Sequence, residues 1–341
     1  MDNIYSTTNN QQGVKQLAND LQPISSLRDE FARKCQNPGQ RLSTGFLPID
    51  VALSGGLQNE LYILAAESST GKSALMMAIA QNLAQNGINV LYFSLEMSPA
   101  EFIARGTSLI SFEHYLKDKN SKKFTFKDIL TYEYDHITNQ FTRLPYSSYE
   151  SYVQEYFDRY ESNLYIISGG LEGFSAKDVA NIAAVFKNSS QNPVVVFVDY
   201  MQLLHADRDD RSQVDRKTRA DENVRVLKSL SSQYEMPVFA ASSISRKSYD
   251  KKITLDSLKE SGDIEYTGGV IIAWNWLDVL ENNMASYETR ADARKECNKR
   301  GYRTMAFDVI KNRNAIRDIE NTIYYVPAYN YFSANEPGII T

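Results

Sequence analysis

Cysteine and histidine are scarce in this chain, and their positions exclude the sites that depend on them. The 341 residues include two cysteines, Cys35 and Cys297, which lie too far apart in sequence to form a CxxC metal knuckle or a disulfide framework. The three histidines are His114, His136 and His205, and their spacing does not resemble that of zinc ligands. A structural zinc site and a disulfide scaffold are therefore not expected.

Long apolar runs and an excess of positive charge are also missing. The longest nearly continuous apolar run, 193–198, is far shorter than the ~20 residues that span a bilayer. The N-terminus, MDNIYSTTNNQQG, lacks the apolar core of a signal peptide, so we expect a soluble, cytoplasmic chain with no membrane partner. A net charge of −5 argues against wrapping duplex DNA with a generally basic surface, but it leaves room for local basic loops that contact nucleic acid.

Short apolar runs alternate with helical segments from about residue 42 onward. The candidate strands are 61–65, 89–95, 164–167, 193–199, 236–242 and 269–274, and the candidate helices are 72–86, 99–109, 176–187 and 214–234. Apolar strands separated by helices are typical of a mostly parallel central sheet flanked by helices, so the predicted class is α/β. Two final runs, 304–310 and 321–326, predict a C-terminal antiparallel hairpin that closes the sheet.

The chain is expected to divide near residue 41. Residues 1–41 are interpreted as an N-terminal tail with one linker helix, because the amphipathic stretch 24–35 is followed by the helix-breaking sequence Gln-Asn-Pro-Gly. Residues 42–341 are expected to form one domain. Within it, residues 110–163 are dense in Tyr, Phe and Lys and predict a helical insertion, with a small accessory module as the alternative.

A phosphate-binding loop is the clearest site motif. Strand 61–65 leads into Ala-Glu-Ser-Ser-Thr-Gly-Lys-Ser (66–73) and then into a helix, which is the strand–loop–helix order of a P-loop. Lys72 would reach the β- and γ-phosphate oxygens of a nucleotide and the Ser73 hydroxyl would ligate Mg²⁺. The candidate phosphate-binding residues are Ser68, Ser69, Thr70, Gly71, Lys72, Ser73 and Ala74. The first glycine of the motif is replaced by Ala66, and a surface turn with an exposed lysine is the alternative.

Two carboxylates follow later apolar strands. The run PVVVFVD ends in Asp199, which is typical of the residue that holds Mg²⁺ in P-loop proteins, although any strand can end in an aspartate. Glu96 ends the strand that follows the P-loop helix, where a carboxylate can act as general base for an attacking water. Its alternative role is structural, since Ser98 and Pro99 begin a helix that favours nearby acidic residues.

The order of several short motifs resembles one known family. The sequences STGF (43–46), SGGLQ (54–58), FSLEMS (93–98), VDYMQLL (198–204), KESGDIE (259–265) and KNRN (311–314) occur in this order around the P-loop. Together they resemble the C-terminal RecA-like ATPase domain of the DnaB replicative helicase family, over about residues 42–332. The family's N-terminal primase-interacting helical domain has no counterpart in these motifs, and we expect only the short tail in its place.

The resemblance implies a hexameric ring that hydrolyses ATP between adjacent subunits, moves on single-stranded DNA during replication and is placed on DNA by a loader protein. Here Lys72, Ser73 and Asp199 would bind ATP and Mg²⁺, and Glu96 would activate water. Lys311 matches the family's trans-acting lysine.

Arg313 matches the arginine finger that reaches the γ-phosphate of the neighbouring subunit's nucleotide, with an ordinary basic turn as the alternative. Lys259, Glu260 and Gly262 match the family's DNA-binding loop. Arg246 and Lys247 lie in the preceding stretch.

The local charge supports these DNA-binding candidates. Residues 244–259 hold five basic and two acidic residues, which favours salt-sensitive, sequence-independent binding of single strands. The loop 205–220 is nearly neutral, and a solvated loop is its alternative. Two further basic stretches, 117–127 with Phe124 and Phe126, and 290–303, are candidates for single-strand contacts or for solvated helix faces.

The departures from the family pattern keep a second function open. The strand that ends at Ser243 lacks the family's glutamine sensor of the γ-phosphate, and a serine is too short for the same contact. The residues after the ESG and KNRN motifs differ as well. The alternative to a helicase is therefore a RecA-like ATPase with a regulatory or loading role, which binds nucleotide and a partner without unwinding DNA. A recombinase of the wider RecA group is a weaker third hypothesis.

Overall fold

A nine-stranded sheet organises the protein. The computed structural model describes residues 23–36, 39–135, 140–169, 173–205, 216–249, 251–258, 269–280, 289–312 and 322–337. The strands of the sheet and of a small separate hairpin are β1 (Leu61–Ala66), β2 (Asn89–Ser94), β3 (Glu133–Asp135), β4 (Gln140–Thr142), β5 (Leu164–Ser168), β6 (Val194–Asp199), β7 (Val238–Ser243), β8 (Val270–Trp276), β9 (Arg303–Lys311), β10 (Thr322–Val326) and β11 (Tyr331–Ser333).

The strand order of the large sheet is β11-β10-β9-β8-β1-β7-β6-β2-β5. The six strands from β8 to β5 run parallel, whereas β9, β10 and β11 join antiparallel at one edge. The predicted mostly parallel sheet with a C-terminal antiparallel hairpin is thereby confirmed, and β11 extends the hairpin by one short strand. Because the parallel strands end at the same edge, Ala66 of β1 lies level with Ser243 of β7, and Ser94 of β2 lies level with Asp199 of β6.

Helices flank the sheet. They are α2 (Leu47–Ala52), α3 (Lys72–Gln85), α4 (Pro99–Lys117), α5 (Phe126–Leu130), α6 (Glu150–Tyr160), α7 (Ala176–Ser189), α8 (Arg216–Gln233) and α9 (Arg290–Arg300), and they are preceded in sequence by α1 (Arg28–Gln36). The predicted end of helix 99–109 is wrong, because α4 continues for two further turns with Ile110 and Phe112 fully buried. None of the helices in the part of the chain that the structure describes is long and apolar enough to cross a membrane.

Two apolar layers lie on opposite faces of the sheet. Alternate residues of β1 point to opposite sides, so Tyr62 and Leu64 join the cluster that holds α3, whereas Leu61 and Ile63 join the cluster that holds α7 and α8. All six residues of β1 are buried, as expected for a central strand covered on both faces. This packing fixes the position of the loop that follows β1.

The chain forms two compact units, residues 1–41 and 42–341. In the first, a 3-10 turn at Ile24–Leu27 leads directly into α1, and the apolar side chains of Ile24 and Phe31 are exposed. The second unit contains the sheet and its helices.

The region 110–163 packs on the sheet-bearing unit through its aromatic side chains. Tyr156 and Tyr160 of α6 belong to the main core, and α6 approaches α4 so closely that a Cβ at Gly106 would overlap the Tyr156 ring. Phe124 is buried against Tyr149, which contradicts the hypothesis that it stacks on a single strand. Tyr156 and Tyr160 therefore belong to the core.

Candidate active site

The loop between β1 and α3 forms one wall of a cleft of about 860 Å³ at the carboxyl edge of the parallel strands. Of the predicted phosphate-binding residues, Ser68, Ser69, Gly71, Lys72, Ser73 and Ala74 line this cleft. Thr70 does not line it: its side chain is buried and its hydroxyl donates to the Glu67 carbonyl at 2.7 Å. Thr70 therefore shapes the loop from within.

Lys72 begins α3 and points back into the loop. Its ammonium group donates to the backbone carbonyls of Ala66 and Glu67, both at 3.3 Å. Burial lowers the pKa of Lys72, while the nearby carboxylates of Asp199 and Glu96 act in the opposite direction. A half-buried ammonium held among carbonyls at a helix N-terminus is suited to an incoming polyphosphate.

Asp199 is buried next to Ser73 and does not itself line the cleft. Its Oδ2 atom accepts a hydrogen bond from the Tyr92 hydroxyl at 3.0 Å, whereas its buried Oδ1 atom has no hydrogen-bond partner. Burial raises the pKa of Asp199 above its ordinary value, although hydrogen bonds from the Ser73 and Tyr92 hydroxyls counteract the shift. A buried carboxylate oxygen without a partner, beside a serine hydroxyl, fits a hard cation with oxygen ligands.

These groups do not make a metal cage by themselves. Within the ranges that the structure describes, no group of three or more His, Cys, Asp or Glu side chains could hold a metal ion. Mg²⁺ commonly binds through one or two protein oxygens together with substrate phosphates and water, and Ser73 with Asp199 provide this pattern. The residues therefore fit a Mg²⁺ ion that arrives with a nucleotide.

Glu96 is exposed and also lines the cleft. The alternative role considered for Glu96, support of the start of α4, is filled by other residues. Ser98 caps α4 by accepting from the Glu101 backbone N–H at 3.2 Å, and the Glu101 side chain accepts from the Ser98 backbone N–H at 3.0 Å. The Glu96 carboxylate is thus left to face the cleft, within electrostatic reach of Lys72 and Asp199.

Gly71 allows the loop to turn into α3. Its backbone is left-handed, with φ 95°, and a Cβ atom added there would lie 2.7 Å from Cε1 of Tyr325. The Tyr325 ring cannot easily move aside, because it is stacked on Phe332 with ring centroids 4.5 Å apart. Only glycine combines this conformation with this contact.

We predict that Gly71→Ala destabilises the protein and weakens ATP binding. The left-handed backbone costs an alanine about 1–2 kcal/mol, and the displaced Tyr325 ring disturbs the N-terminus of α3. Thermal unfolding and ATP titration measure the two effects. Gly87→Ala is the matched control, since Gly87 has φ 77° and no atom within 4 Å of an added Cβ. Equal ATP affinity of the two variants would contradict the importance of the Tyr325 contact.

Of the two predicted trans-acting residues, the structure describes Lys311, which lies away from this cleft. Lys311 ends β9, eight residues from Arg303, whose guanidinium donates to the Ser69 carbonyl at 2.9 Å. Through the pairings of β9 with β8 and of β8 with β1, Lys311 lies level with Ile63. Ile63 is about 10 Å along the strand before the end of β1, and two strand spacings add a further ~10 Å, so Lys311 is out of reach of the P-loop of its own chain. Arg313 lies outside the described residues.

The predicted DNA-binding residues are described in part. Arg246 and Lys247 lie in an exposed 3-10 turn, Arg246–Ser248, that follows β7 at the same edge of the sheet as the P-loop. The next residue, Tyr249, is in hydrogen-bond contact with the hydroxyl of Ser68 at 3.2 Å. Lys259, Glu260 and Gly262 lie outside the described residues.

The structure adds cleft residues that sequence reasoning missed. Arg303, Tyr325 and Arg105 line the cleft together with Phe126 and Lys127 of α5. The Arg105 guanidinium lies 4.2 Å above the Phe126 ring, and its Nε atom is buried without a hydrogen-bond partner. The one sequence signal that could have pointed to Arg105 is its position on the helix after FSLEMS. The other added residues lie on segments distant in sequence, so no local pattern connects them to the P-loop.

Comparison with known proteins assigns a family to most of the chain. Residues 41–333 match the family described as the DnaB-like helicase C terminal domain. The chain is 29% identical over 236 residues to the replicative DNA helicase DnaB of Geobacillus stearothermophilus, covering 67% of this chain and 46% of that protein. It is 24% identical over 270 residues to the replicative DNA helicase DnaB of Helicobacter pylori (strain J99), covering 78% of this chain and 50% of that protein. The chain thus spans about half the length of these curated relatives.

Solved structures share the fold. One solved ATPase domain superposes with a TM-score of 0.66 at 19% identity, covering 93% of this chain and 100% of that chain. A DnaB-like replicative helicase, whose structure was determined with its primase interactions, gives a TM-score of 0.67 at 20% identity, covering 94% of this chain and 70% of that chain. The shared fold is the RecA-like ATPase fold.

Proposed function

The chain belongs to the family of DnaB-like helicase C-terminal domains, and we propose that it is an ATP-dependent DNA helicase or translocase that acts in DNA replication. One observation carries the proposal: the fold brings Lys72, Ser73 and Glu96 into a single cleft, with the buried carboxylate of Asp199 directly beside Ser73. A phosphate loop, a metal-binding carboxylate and a general base are the parts that nucleotide hydrolysis requires.

The cleft residues divide the work of binding ATP. The backbone amides from Ser68 to Ala74 face the phosphates at the N-terminus of α3, and Lys72 exchanges its loop carbonyl partners for phosphate oxygens. Ser73 and Asp199 would hold Mg²⁺, which supplies charge neutralisation at the phosphate oxygens when bound. The Asp199 carboxylate must be ionised for this purpose, and the Ser73 and Tyr92 hydroxyls favour that form.

Glu96 is the proposed general base. Its exposed carboxylate can accept a proton from a water molecule that attacks the γ-phosphate. Because Glu101 is occupied by helix capping, Glu96 is the carboxylate left for catalysis among the described residues that line the cleft.

The geometry of β9 supports hydrolysis at an interface between subunits. Lys311 is too far from its own P-loop to contact the nucleotide there, so its predicted role requires the nucleotide of a neighbouring subunit. A head-to-tail arrangement of this kind closes into a ring when the rotation between subunits allows it, and a hexamer is the proposed assembly. Arg313, two residues further on, is proposed as the arginine finger of the same interface.

Two inactive variants are expected to restore each other's activity. In an equal mixture of Lys72→Ala and Lys311→Ala subunits, about a quarter of the interfaces of a randomly assembled ring combine an intact P-loop with an intact Lys311. We therefore predict ATP turnover in the mixture although each variant alone is inactive. Turnover is measured against the mixing ratio, and the absence of any recovery in rings shown to be mixed would contradict action in trans.

Single-stranded DNA is the proposed ligand of the ring channel. Arg246 and Lys247 are exposed and precede Lys259, Glu260 and Gly262 in sequence. The segment between them is closed by a backbone hydrogen bond, in which the Ser245 N–H donates to the Ser257 carbonyl at 2.9 Å. Binding through such a basic loop would be independent of sequence and would weaken as salt is added. A loader protein is a further proposed partner.

The alternative function has one observation in its favour. Ser243 lines the cleft where the family has a γ-phosphate sensor, and its backbone N–H is in contact with the Gln202 amide oxygen at 3.4 Å. A chain that senses nucleotide differently could be an ATPase with a regulatory or loading role. ATP turnover with and without single-stranded DNA separates the two functions. Stimulation by DNA supports the helicase or translocase, whereas turnover that ignores DNA, with no nucleotide-dependent oligomer, supports the alternative.

A further inference from the structure

The P-loop carries an acidic side chain that is bound by a helix from the far end of the chain. Glu67 accepts hydrogen bonds from Arg290 at 2.6 Å and from Arg294 at 3.1 Å, one arginine on each carboxylate oxygen. The Glu67 side chain is only 12% exposed, and that of Arg290 is 22% exposed. The Arg294 side chain is 45% exposed, so the Glu67–Arg290 pair is the shielded one of the two. Shielded pairs at short hydrogen-bond distance are stronger than ordinary surface ion pairs.

The spacing of residues on α9 explains this arrangement. Ala293 and Cys297 lie four residues apart and are buried in the main core, while Arg290 and Arg294, also four apart, form the adjacent stripe. Packing of the first stripe on the core therefore turns the second stripe toward the P-loop. Thr289 fixes the start of the helix by accepting from the Asp292 backbone N–H at 3.2 Å.

The other end of α9 is fixed as well. Arg300 donates to the Asp278 carboxylate at 2.7 Å, and the Thr304 backbone N–H donates to the same carboxylate at 2.7 Å. Although burial raises the pKa of Asp278, these hydrogen bonds lower it overall, so the carboxylate stays ionised. Gly301 ends the helix with φ 85°. Since α9 is anchored at both ends, its hydrogen bonds to Glu67 connect the P-loop to a fixed helix.

The negative charge of Glu67 is unfavourable for phosphate binding. A carboxylate in a phosphate loop repels an incoming polyphosphate, unless it is neutralised by nearby cations. Arg290 and Arg294 provide that neutralisation with one positive charge in excess. Arg303 adds a third guanidinium, which donates to the Ser69 carbonyl and lies 4.2 Å from the Trp276 ring.

We propose that Glu67, Arg290 and Arg294 form an ion-pair clasp that holds the P-loop in the conformation that receives the nucleotide. The three residues are positioning residues, since they act on the nucleotide through the loop backbone. This role rests on the nucleotide binding proposed above and deepens it. If electrostatic repulsion alone mattered, removing the negative charge of Glu67 would strengthen ATP binding. The clasp predicts the opposite, that removing this charge weakens ATP binding.

The experiment compares ATP affinity, KM and kcat for charge variants of the clasp. Glu67→Ala and Arg290→Glu are each expected to raise Kd and KM for ATP about tenfold, the effect of losing a hydrogen bond between charged groups, with kcat at saturating ATP changed less than about threefold. The double variant Glu67→Arg with Arg290→Glu reverses the pair and is expected to return both constants to within about threefold of wild type. Lys295→Glu is the matched control, because Lys295 is exposed on the same helix and its reversal changes the charge equally.

Each outcome bears on the clasp or on the function beneath it. Unchanged or tighter ATP binding by Glu67→Ala overturns the clasp, and so does failure of the swapped pair to recover when thermal unfolding shows that it is folded. An equal loss in Lys295→Glu also overturns it, since that result assigns the effect to charge on α9 in general. If the wild-type chain binds no ATP, the proposed function itself is wrong. A third result would overturn the clasp but not the proposed function: the wild-type chain binds ATP, Lys72→Ala fails to bind it, and Glu67→Ala binds it as well as wild type does.

Discussion

Lys72→Ala is expected to abolish ATP turnover. The ammonium group is held half-buried by the Ala66 and Glu67 carbonyls, at the point where the β- and γ-phosphates of a nucleotide would lie. Among the described residues that line the cleft, Lys72 is the one lysine or arginine that belongs to the phosphate loop itself. Loss of one charge-stabilising donor at a transition state costs about 10²–10³ in rate, so we expect turnover to fall by at least that factor.

Steady-state phosphate release and nucleotide titration measure this effect. ATP affinity should fall together with turnover, because Lys72 contacts phosphates in the ground state as well as in the transition state. Lys117→Ala serves as the control, since Lys117 is exposed at the end of α4. Turnover in Lys72→Ala within a few-fold of wild type would show that this cleft is not where ATP is hydrolysed.

Glu96→Gln is expected to separate binding from hydrolysis. The amide keeps the size of the side chain but cannot accept the proton of the attacking water, and general-base catalysis contributes about 10²–10⁴-fold to a rate. We therefore predict that turnover falls by that factor while ATP affinity changes little. The opposite pattern, weak binding with a normal rate at saturation, would give Glu96 a role in binding instead.

Glu101→Gln provides a closely matched control for Glu96. Both glutamates line the cleft, but the Glu101 carboxylate accepts a hydrogen bond from the backbone N–H of Ser98. We expect Glu101→Gln to weaken the α4 cap by about 1 kcal/mol or less and to leave turnover nearly unchanged. A larger loss of turnover in Glu101→Gln than in Glu96→Gln would reassign the general base.

Much of the fold follows from the local pattern of the sequence. Buried parallel strands are continuous apolar runs, and the run 193–199 ends at the carboxyl edge with Asp199, which is buried next to Ser73. The P-loop was predictable for the same reason, since a strand, a tight turn and a helix are adjacent in sequence. Helix ends were less predictable: α4 runs past residue 109 because its later side chains find a buried partner, which no local signal announces.

The parts of the site that depend on distant contacts could not be predicted. The basic stretch 290–303 has the composition of a solvated or DNA-contacting face, yet Arg290, Arg294 and Arg303 bind the P-loop of the same chain. Composition describes how many charges a segment has, whereas their partners depend on where the sheet places that segment. The order of strands β8 and β9 beside β1 brings α9 to the P-loop, and this order appears only in the folded structure.

ATP hydrolysis in this cleft is proposed to drive movement on DNA, and unwinding of a forked duplex tests that coupling most directly. The measurement follows separation of a labelled strand by the wild-type chain and by Lys72→Ala, each with and without ATP and at low salt. We predict separation only by the wild-type chain with ATP, together with faster ATP turnover when single-stranded DNA is present. ATP turnover by the wild-type chain without strand separation, at a rate that DNA does not change, would contradict the proposed coupling.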